Sequence, residues 1–263
     1  MSVCLLYLAY VVMFLLASTA IFFFTLTRGA LILRRILGGN QAESAHIYPI
    51  YSHMGLIRFV DFQPVIAAIL LFQYDRLVSI ITAGIAKTDL THKQVLITSC
   101  AFGNVIPRVV AAAVKAGVEK VLIADLITNE LINAQDKVVA FADKTVFLKD
   151  DATAMHQPTN SVDANVIFFL LHELPHHLKG QALSEAGRVL KSGGKLYLAE
   201  FHRPDNVLLR GLSYVYFKVF EPWGLALWST HDPVKQLNEI GGFTCERHTL
   251  LLGNFQVIIA TKH

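Results

Sequence analysis

Apolar and polar positions alternate in blocks after residue 90, and these blocks predict a succession of strands and helices. Short runs of consecutive apolar residues are separated by longer segments in which apolar residues recur every three or four positions. The runs are continuous rather than alternating, which is typical of parallel strands buried on both faces. The predicted strands are QVLITS (94–99), KVLIAD (120–125), TVFLKD (145–150), ANVIFFLL (164–171) and KLYLAEF (195–201).

Amphipathic segments between the runs predict the connecting helices PRVVAAAVKAG, TNELINAQDKVVAFA and HLKGQALSEAGRVLKSGG. The third is expected to end at Ser192–Gly194, because glycines stop helices. An aromatic helical segment, RGLSYVYFKVFEPWGLALW, follows the fifth strand, and two apolar stretches flanking Gly253-Asn254 predict an antiparallel hairpin. The sequence therefore predicts an α/β fold with a doubly wound, mostly parallel sheet. This order of elements resembles that of class I S-adenosylmethionine (SAM)-dependent methyltransferases.

The N-terminus carries an uncharged apolar run from Ser2 to Thr27. A bilayer core of ~30 Å requires about 20 apolar residues in a helix. A cleaved signal peptide is the rival interpretation, but the run is long and no basic residue precedes it, so we predict a retained transmembrane anchor. Arg28, Arg34 and Arg35 follow the run, and the positive-inside rule places the rest of the chain on the cytoplasmic or matrix side.

Residues 28–90 form a juxtamembrane zone that predicts two or three helices. It contains the polar turn GGNQAES (38–44), an aromatic-rich stretch and, after Pro64, the apolar run VIAAILLF, which is too short to span a bilayer. One face of these helices is expected to touch the membrane. The predicted division is a transmembrane anchor (1–27), a juxtamembrane helical segment (28–90) and a catalytic domain (91–263).

Composition narrows the class of protein. Hydrophobic residues make up 54% of the chain, and the net charge is only +3. No basic stripe interleaves with aromatic residues, so a nucleic-acid partner is not expected. Cys4, Cys100 and Cys245 lie far apart without zinc-site spacing, which agrees with a reducing compartment.

The stretch VLITSCAFGNV (95–105) predicts a strand, a turn and a helix start, the unit that opens nucleotide-binding α/β domains. Its loop carries one glycine, Gly103, and its backbone N–H groups are expected to face the charged end of a ligand. Cys100 and Gly103 are the predicted cofactor-binding positions of the loop. A plain turn is the alternative interpretation.

Acidic residues end the next two strands. Asp125 is placed to accept hydrogen bonds from ribose hydroxyls, with helix capping as the alternative. Asp150 and Asp151 end the third strand, where an acid often meets an adenine amine in this kind of fold. We favour Asp151 because alanine follows it, and a cap on the next turn is the alternative.

The fourth strand leads into LLHELPHH, which places His172 and Glu173 at the ligand edge of the sheet. A general base, a metal ligand and a substrate contact remain open as roles for them. His176 and His177 are expected to be solvated, and Pro175 rules out a helical zinc site.

The fifth strand ends in AEFHRP, which adds Glu200 and His202 to the same edge. If the strand stays extended, these two side chains point to one side. Further along, Trp223, Trp228 and His231 are candidates for stacking on a planar substrate. A core or interfacial role for the tryptophans is an equal alternative.

Four motifs together resemble the rhodoquinone biosynthesis protein RquA family, which is related to ubiquinone methyltransferases. They are YSHMGLIRFVDFQ, VIFFLLHELP, AEFHRP and EPWGLALW with a histidine beyond it. The resemblance implies conversion of ubiquinone to rhodoquinone, in which an amino group replaces a ring methoxy group, SAM is the amino donor and Mn²⁺ assists. A SAM-dependent methyltransferase acting on a quinone or lipid, and a non-catalytic scaffold, are the competing functions.

By this resemblance, Gly103, Asp125 and Asp151 hold SAM, and His172, Glu173, His202 and His231 line the quinone or metal site. The three residues implied as metal ligands are His172, Glu173 and His202. Ubiquinone resides in the bilayer, which agrees with an anchored enzyme. A bacterial inner membrane is expected, with the matrix side of the mitochondrial inner membrane as the alternative.

Overall fold

The computed structural model describes residues 3–26, 28–36 and 48–263, and the chain divides into two compact units, residues 1–53 and 54–263. The predicted polar turn at 38–44 lies outside the described residues. The first unit contains α1 (Val3–Leu26), α2 (Arg28–Ile36) and a 3₁₀ helix, Pro49–Ser52. Within α1, Leu5–Thr25 is long and apolar enough to cross a membrane, a test that signal sequences also pass.

Three helices open the second unit: α3 (Met54–Asp61), α4 (Gln63–Ile69) and α5 (Tyr74–Ala86). Pro64 lies in the first turn of α4, where its missing N–H costs nothing. The apolar face of α5 is fully buried in the core of this unit, including Leu77 and Ile81. The three-part division predicted from the sequence, with boundaries near residues 27 and 90, remains a prediction.

Seven strands form one sheet in the order β3-β2-β1-β4-β5-β7-β6. The first five strands are parallel, and β7 is antiparallel to both β5 and β6. This confirms the predicted mostly parallel sheet with an antiparallel C-terminal hairpin. The strands are β1 (Gln94–Thr98), β2 (Lys120–Asp125), β3 (Thr145–Lys149), β4 (Val162–Phe168), β5 (Leu190–Phe201), β6 (Phe243–Leu250) and β7 (Phe255–Lys262).

Buried side chains cover both faces of the sheet, which is why the strands are continuously apolar. The connecting helices are α6 (Val105–Lys115), α7 (Thr128–Lys137) and α8 (His176–Val189). The prediction that α8 ends at Ser192–Gly194 is wrong: the helix ends at Val189, and these residues lie in β5. There the register against β4 shifts, and Gly193 takes a φ of +77° that glycine tolerates.

After β5 the chain forms α9 (Val207–Val219), a 3₁₀ helix (Pro222–Trp228) and α10 (Pro233–Ile240). The sequence pattern predicted one helical segment through this region, but the structure breaks it at Pro222. Proline has no N–H to continue the hydrogen-bond ladder, so the chain turns there. As a result the aromatic segment folds back at the end of β5.

Candidate active site

The turn between β1 and α6 is narrow because a tyrosine lies against it. Gly103 has a φ of +79°, and a Cβ at this position would come within 2.5 Å of the Tyr74 hydroxyl. That hydroxyl donates to the carbonyl of Phe102 at 3.1 Å and accepts from the N–H of Val105 at 2.7 Å. The single glycine of the loop is therefore required by both its backbone conformation and its close neighbour.

Side chains from α3 and α4 occupy the N–H groups of this loop. Asp61 Oδ1 accepts from Gly103 N at 2.8 Å, and Gln63 Oε1 accepts from Asn104 N at 3.2 Å. Sequence analysis expected these N–H groups to face a ligand. The structure turns them toward the preceding helices, which supply acceptors that the motif alone does not reveal.

An ion pair fixes Asp61 in turn. Lys137 Nζ lies 2.7 Å from Asp61 Oδ1 and 3.0 Å from the carbonyl oxygen of Gly103. The ammonium on α7 therefore contacts both α3 and the loop between β1 and α6. The side chains of Lys137 and Asp61 are only 16% and 15% exposed. A pair this sheltered is screened less than one at the surface.

Asp125 ends β2 as predicted, and its carboxylate supports the same loop. It accepts from Cys100 N at 2.6 Å and from Ile127 N at 2.7 Å. Burial raises the pKa of Asp125 to about 6, although these N–H donors favour the ionised form. Burial likewise raises the pKa of the Cys100 thiol, so this residue contributes its backbone rather than a reactive sulfur.

The two acids after β3 differ in their surroundings. Asp150 is buried, and its Oδ1 lies 2.7 Å from His156 Nδ1 and accepts from Asp151 N. Asp151 is half-buried, and its Oδ1 accepts from the backbone and hydroxyl of Thr153, at 2.8 and 2.7 Å. Both carboxylates thus shape the turn, as the capping alternative predicts. An adenine contact by Asp151 remains a prediction.

A buried ion pair joins the ends of β4 and β5. His172 Nδ1 lies 3.1 Å from Glu200 Oε1, and Glu200 Oε2 accepts from His172 N at 3.2 Å. Burial disfavours the charged imidazole, but the attraction and hydrogen bond of Glu200 outweigh it and raise the pKa of His172 to about 9. Glu200 therefore favours the imidazolium form of His172, and Nε2 is the nitrogen that does not face Glu200.

Aromatic rings surround this pair. The His172 ring lies edge-on to Phe201, with 4.9 Å between centroids, and Phe201 contacts Phe217 at 5.0 Å. A Cβ on Gly224 would collide with Phe217 and come within 3.3 Å of His172 Cβ, so glycine allows the 3₁₀ helix to close over the histidine. The result is a cationic ring held within an apolar cage.

A second buried cation holds the turn that carries His172. Lys179 is completely buried on α8, and its ammonium donates to the carbonyl of Leu171 and, at 2.7 Å, to that of Leu174. Burial lowers the pKa of Lys179 to about 8, against the nearby carboxylates of Glu200, Glu221 and Glu173. Sequence analysis assigned no role to this lysine, because an isolated lysine within an amphipathic helix gives no signal of burial.

His202 has a structural setting rather than that of a metal ligand. Its Nδ1 lies 2.7 Å from the carbonyl oxygen of Gly253, which can only accept, so Nδ1 carries the proton. Arg247 Nη1 lies 3.3 Å from Nε2, and Arg247 Nη2 pairs with both oxygens of Asp232. Both ring nitrogens of His202 are thus engaged, because the strand ends at Phe201 and does not keep Glu200 and His202 on one side.

The predicted metal ligands do not form a cluster. Within residues 3–26, 28–36 and 48–263, no group of three His, Cys, Asp or Glu side chains is arranged to hold a metal ion. His172 faces Glu200, His202 is held by Gly253 and Arg247, and Glu173 lies on the turn between β4 and α8. The residues present therefore do not fit the Mn²⁺ site that the family resemblance implies.

The predicted substrate residues lie on or just after the 3₁₀ helix Pro222–Trp228. Trp223 and Trp228 are half-buried, and Trp228 contacts Phe217 edge-on at 5.6 Å. The Trp228 indole N–H is buried without a hydrogen-bond partner among the described residues. The His231 and His176 rings lie 5.4 Å apart between centroids and are tilted by 33°, and partial loss of solvent lowers the pKa of both imidazoles. As expected, His176 and His177 are exposed.

An open groove of about 520 Å³ lies beside this helix, between it and α9. Its lining residues are Arg203, Val207, Arg210, Gly211, Tyr214, Leu225, Trp228 and Ser229. Leu225 directly follows Gly224, the glycine that lies against His172. The 3₁₀ helix therefore extends from the aromatic rings around His172 to the groove. Among the predicted residues, only Trp228 lines this groove.

The sequence profile of the ubiE/COQ5 methyltransferase family matches residues 63–237. The chain belongs to this family. It is 32% identical over 123 residues to the ubiquinone/menaquinone biosynthesis C-methyltransferase UbiE of Teredinibacter turnerae, an alignment that covers 46% of this chain and 49% of the relative. The chain thus spans about half the length of the curated relatives it matches.

Solved structures show the same fold at low identity. A S-adenosyl-L-methionine-dependent methyltransferase from Methanococcus maripaludis, described as putative, has a TM-score of 0.53 and 17% identity, covering 86% of this chain and 97% of that one. An O-methyltransferase family protein from Burkholderia thailandensis has a TM-score of 0.57 and 13% identity, covering 81% and 62%. The class I methyltransferase fold predicted from the sequence is confirmed.

Several residues that shape the site are not predicted from the sequence. Asp61, Gln63 and Tyr74 lie upstream of the predicted catalytic domain. Of the three, only Tyr74 is aromatic and fully buried. Glu130 is also buried, and burial with the nearby Asp125 raises its pKa to about 9. Asp61 and Gln63 end the motif YSHMGLIRFVDFQ, but the motif does not reveal their roles, because each residue acts through a partner that is distant in sequence.

Proposed function

We propose that this chain modifies a membrane quinone, using SAM, by replacing a ring methoxy group of ubiquinone with an amino group to give rhodoquinone. The observation that carries the proposal is the buried His172–Glu200 pair at the carboxyl edge of the sheet, within a cage of aromatic rings. Ligands of doubly wound folds bind at this edge. Membership of a methyltransferase family supports SAM as the co-substrate.

The β1 and β2 ends are the proposed SAM site. The backbone around Cys100 and Gly103 lines it, Asp125 accepts from the ribose hydroxyls and Asp151 meets the adenine amine. The buried Asp125 carboxylate is already aligned by two N–H donors, so it needs little reorganisation to bind a hydroxyl. The clamp of Asp61 and Lys137 keeps the loop in this arrangement.

The quinone is proposed to enter through the groove beside α9 and to reach His172 under the 3₁₀ helix. Trp223, Trp228 and His231 would stack on or bind the planar head group, and the unpartnered Trp228 N–H is a donor suited to a quinone oxygen. A retained N-terminal anchor, with the second unit on the cytoplasmic side of a bacterial inner membrane, would hold the enzyme beside a substrate that resides in the bilayer.

The proposed role of His172 follows from its charge. Attack of the SAM amine nitrogen on the methoxy-bearing ring carbon forms a C–N bond, and the methoxy group leaves as methanol with a proton from that nitrogen. The bond between the nitrogen and Cα of SAM then breaks by elimination, in which Cβ gives up a proton to the nitrogen and a carbon–carbon double bond forms in the departing fragment, so the ring keeps a primary amino group. During the attack negative charge grows on the quinone oxygens. An imidazolium whose Nε2 lies within hydrogen-bond distance of one of these oxygens would stabilise that charge. Glu200 keeps His172 charged and oriented, and Glu173 is proposed to assist at the mouth of the site.

Methyl transfer to a quinone ring is the second candidate, and the family match favours it. The two reactions are separated by isotopes. Full-length protein in lipid nanodiscs is incubated with a short-chain ubiquinone and SAM carrying heavy nitrogen in its amino group and deuterium in its methyl group. We expect mass spectrometry to find heavy nitrogen in an amino-quinone. A deuterated methyl group in the product, without heavy nitrogen, would overturn the amino-transfer proposal.

Two variants tie the reaction to the site. His172→Ala should lower the rate of product formation by about 10²-fold or more, since a charge-stabilising donor is lost, whereas His177→Ala, which changes an exposed histidine in the first turn of α8, should not. A His172→Ala protein that folds, binds SAM and turns over at the normal rate contradicts the assignment. Assays with EDTA and with added Mn²⁺ test whether the reaction needs a metal ion, for which the described residues form no site.

A further inference from the structure

One helix presents an apolar face to solvent, and it lies beside the proposed site. Leu208 and Leu212 of α9 are 75% and 61% exposed, and Val207, Val215 and Val219 are exposed with them. Only Phe217 of this helix is buried. Soluble proteins seldom expose so many large apolar side chains on a single helix, so the face is expected to have an occupant.

A second apolar projection lies at the same edge of the sheet. Leu71 and Phe72, in the turn between α4 and α5, have φ values of 48° and 58°, which large side chains rarely adopt. Phe72 is 77% exposed, although backbone hydrogen bonds to Ala67 and Ala68 hold the turn closed. Local strain therefore keeps two apolar side chains pointing outward.

The fold places both features at the carboxyl edge of the sheet. The chain passes from the end of β5 at Phe201 to the start of α9 at Val207. The turn between α4 and α5 leads into Tyr74, whose hydroxyl bonds to Val105 just after the end of β1. The groove beside α9 opens on this edge as well.

The charges around α9 fit an anionic surface. Residues 203–219 contain three cations, Arg203, Arg210 and Lys218, and one acid, Asp205. Arg203 and Arg210 line the groove beside the apolar face, and Lys218 lies over the ring of Tyr214 at 5.5 Å. Leucines and valines with arginine, lysine and tyrosine at their margin are the composition of helices that lie in a lipid interface.

We propose that α9, together with the turn between α4 and α5, docks the carboxyl edge of the sheet onto the surface of an anionic lipid bilayer. The apolar side chains of α9 enter the interface, and the arginines and lysine contact lipid phosphates. The groove then opens toward the acyl chains. This contact is separate from α1 and does not depend on the reaction that the site catalyses.

Photo-crosslinking tests the proposal on the full-length protein. The protein is reconstituted in nanodiscs of phosphatidylcholine and phosphatidylglycerol that carry a diazirine phospholipid, irradiated and mapped by mass spectrometry. We expect lipid adducts on the peptide 207–219 and on the turn around Phe72. Replacing phosphatidylglycerol with phosphatidylcholine should reduce the adducts on 207–219 several-fold, because the cations lose their partners.

Matched variants make the result specific. Leu208→Asp with Leu212→Asp should lower adducts on 207–219 about tenfold, since two apolar side chains no longer enter the interface. Val139→Asp changes a side chain that is 68% exposed in the 3₁₀ helix before β3, at the opposite edge, and should leave the adducts unchanged. Adducts on 207–219 that persist in the double variant, or that are no more frequent than around Val139, would overturn the proposal. Because the readout is not activity, this failure is distinct from failure of the proposed reaction.

Discussion

The ends of β1 and β2 and the ends of β4 and β5 lie at one edge of the sheet, but they hold their polar groups in opposite ways. At β1 and β2, backbone N–H groups are satisfied by side chains, namely Asp61, Gln63, Tyr74 and Asp125. At β4 and β5, a charged pair, His172 and Glu200, is buried among aromatic rings.

The difference has consequences for energetics and for function. Neutral N–H groups that find acceptors contribute modestly each and make a rigid loop. A buried ion pair gains little net stability when it forms but costs much when one partner is removed. The first half is suited to holding a co-substrate in a fixed place, and the second to stabilising charge that develops during a reaction.

The most damaging single change is expected in the second half. Glu200→Gln leaves His172 buried without its counter-charge, and breaking such a pair costs about 3 kcal/mol of unfolding free energy. Thermal and chemical unfolding of the full-length protein in nanodiscs measures this. Asp232→Asn, which removes one partner of the more exposed Arg247 pair, is the comparison variant and should cost less. Equal losses in the two variants would contradict the distinction.

The same pair predicts a pH dependence. The pKa of His172 is raised from 6.5 to about 9 in the folded protein, so its stabilisation is complete below pH 6.5 and is lost as the pH rises toward 9. The stability difference between wild type and Glu200→Gln should therefore shrink by about 2 kcal/mol between pH 6.5 and 8.

Other buried groups titrate near this range, which is why the difference between variants is measured. As the pH rises, Lys179, with a pKa lowered to about 8, adds stability above pH 8, whereas Glu130, with a pKa raised to about 9, loses stability on the way up to pH 9. The contribution of Glu130 cancels between the two proteins, whereas loss of the Glu200 carboxylate lowers the pKa of Lys179 further in the variant, which narrows the stability gap in the same direction. A stability gap that stays constant from pH 6.5 to 8 would show that His172 does not carry the charge.

Sequence reasoning found the framework of both halves because apolar periodicity reflects burial. The five parallel strands, the hairpin and the position of Asp125 at a strand end follow from local pattern alone, although β4 ends at Phe168, three residues before the predicted end, and His172 lies in the turn that follows. The partner that each polar side chain contacts does not follow from local pattern. Asp61 is 42 residues from Gly103, and His202 is 51 residues from the carbonyl that it contacts. No local sequence pattern operates over such separations.

His202 and Lys179 show the same limit. His202 was grouped with Glu200 on the assumption of an extended strand, whereas β5 ends between them and their side chains find separate partners. Lys179 is hidden within an amphipathic helix, and its burial depends on two carbonyls of the preceding turn. Strand ends can be predicted, but the contacts made beyond them depend on the assembled fold.

A smaller effect is expected in the first half. Asp61→Asn keeps an acceptor for Gly103 N but removes the counter-charge of Lys137, and should cost about 1–2 kcal/mol. Asp75→Asn is the matched control, because Asp75 is 74% exposed in its pair with Arg108 and should cost less than about 1 kcal/mol. SAM affinity measured by calorimetry should fall in Asp61→Asn and stay unchanged in Asp75→Asn, and the reverse order would contradict the clamp.

The smallest effect on stability is expected at Trp228. A variant at this position distinguishes the two halves of the site by which ligand, quinone or SAM, changes its KM. Its indole N–H is buried without a partner in the described part of the chain, so Trp228→Phe removes an unsatisfied donor and should change the unfolding free energy by less than about 1 kcal/mol. Phenylalanine keeps an aromatic ring at position 228, so the variant isolates the loss of the N–H from the loss of stacking. If the N–H binds the quinone, Trp228→Phe should raise the KM for quinone several-fold while the KM for SAM stays constant, because the change touches only the half at β4 and β5. A rise in both KM values would instead mean that the two halves are mechanically coupled through the aromatic cage around Phe217.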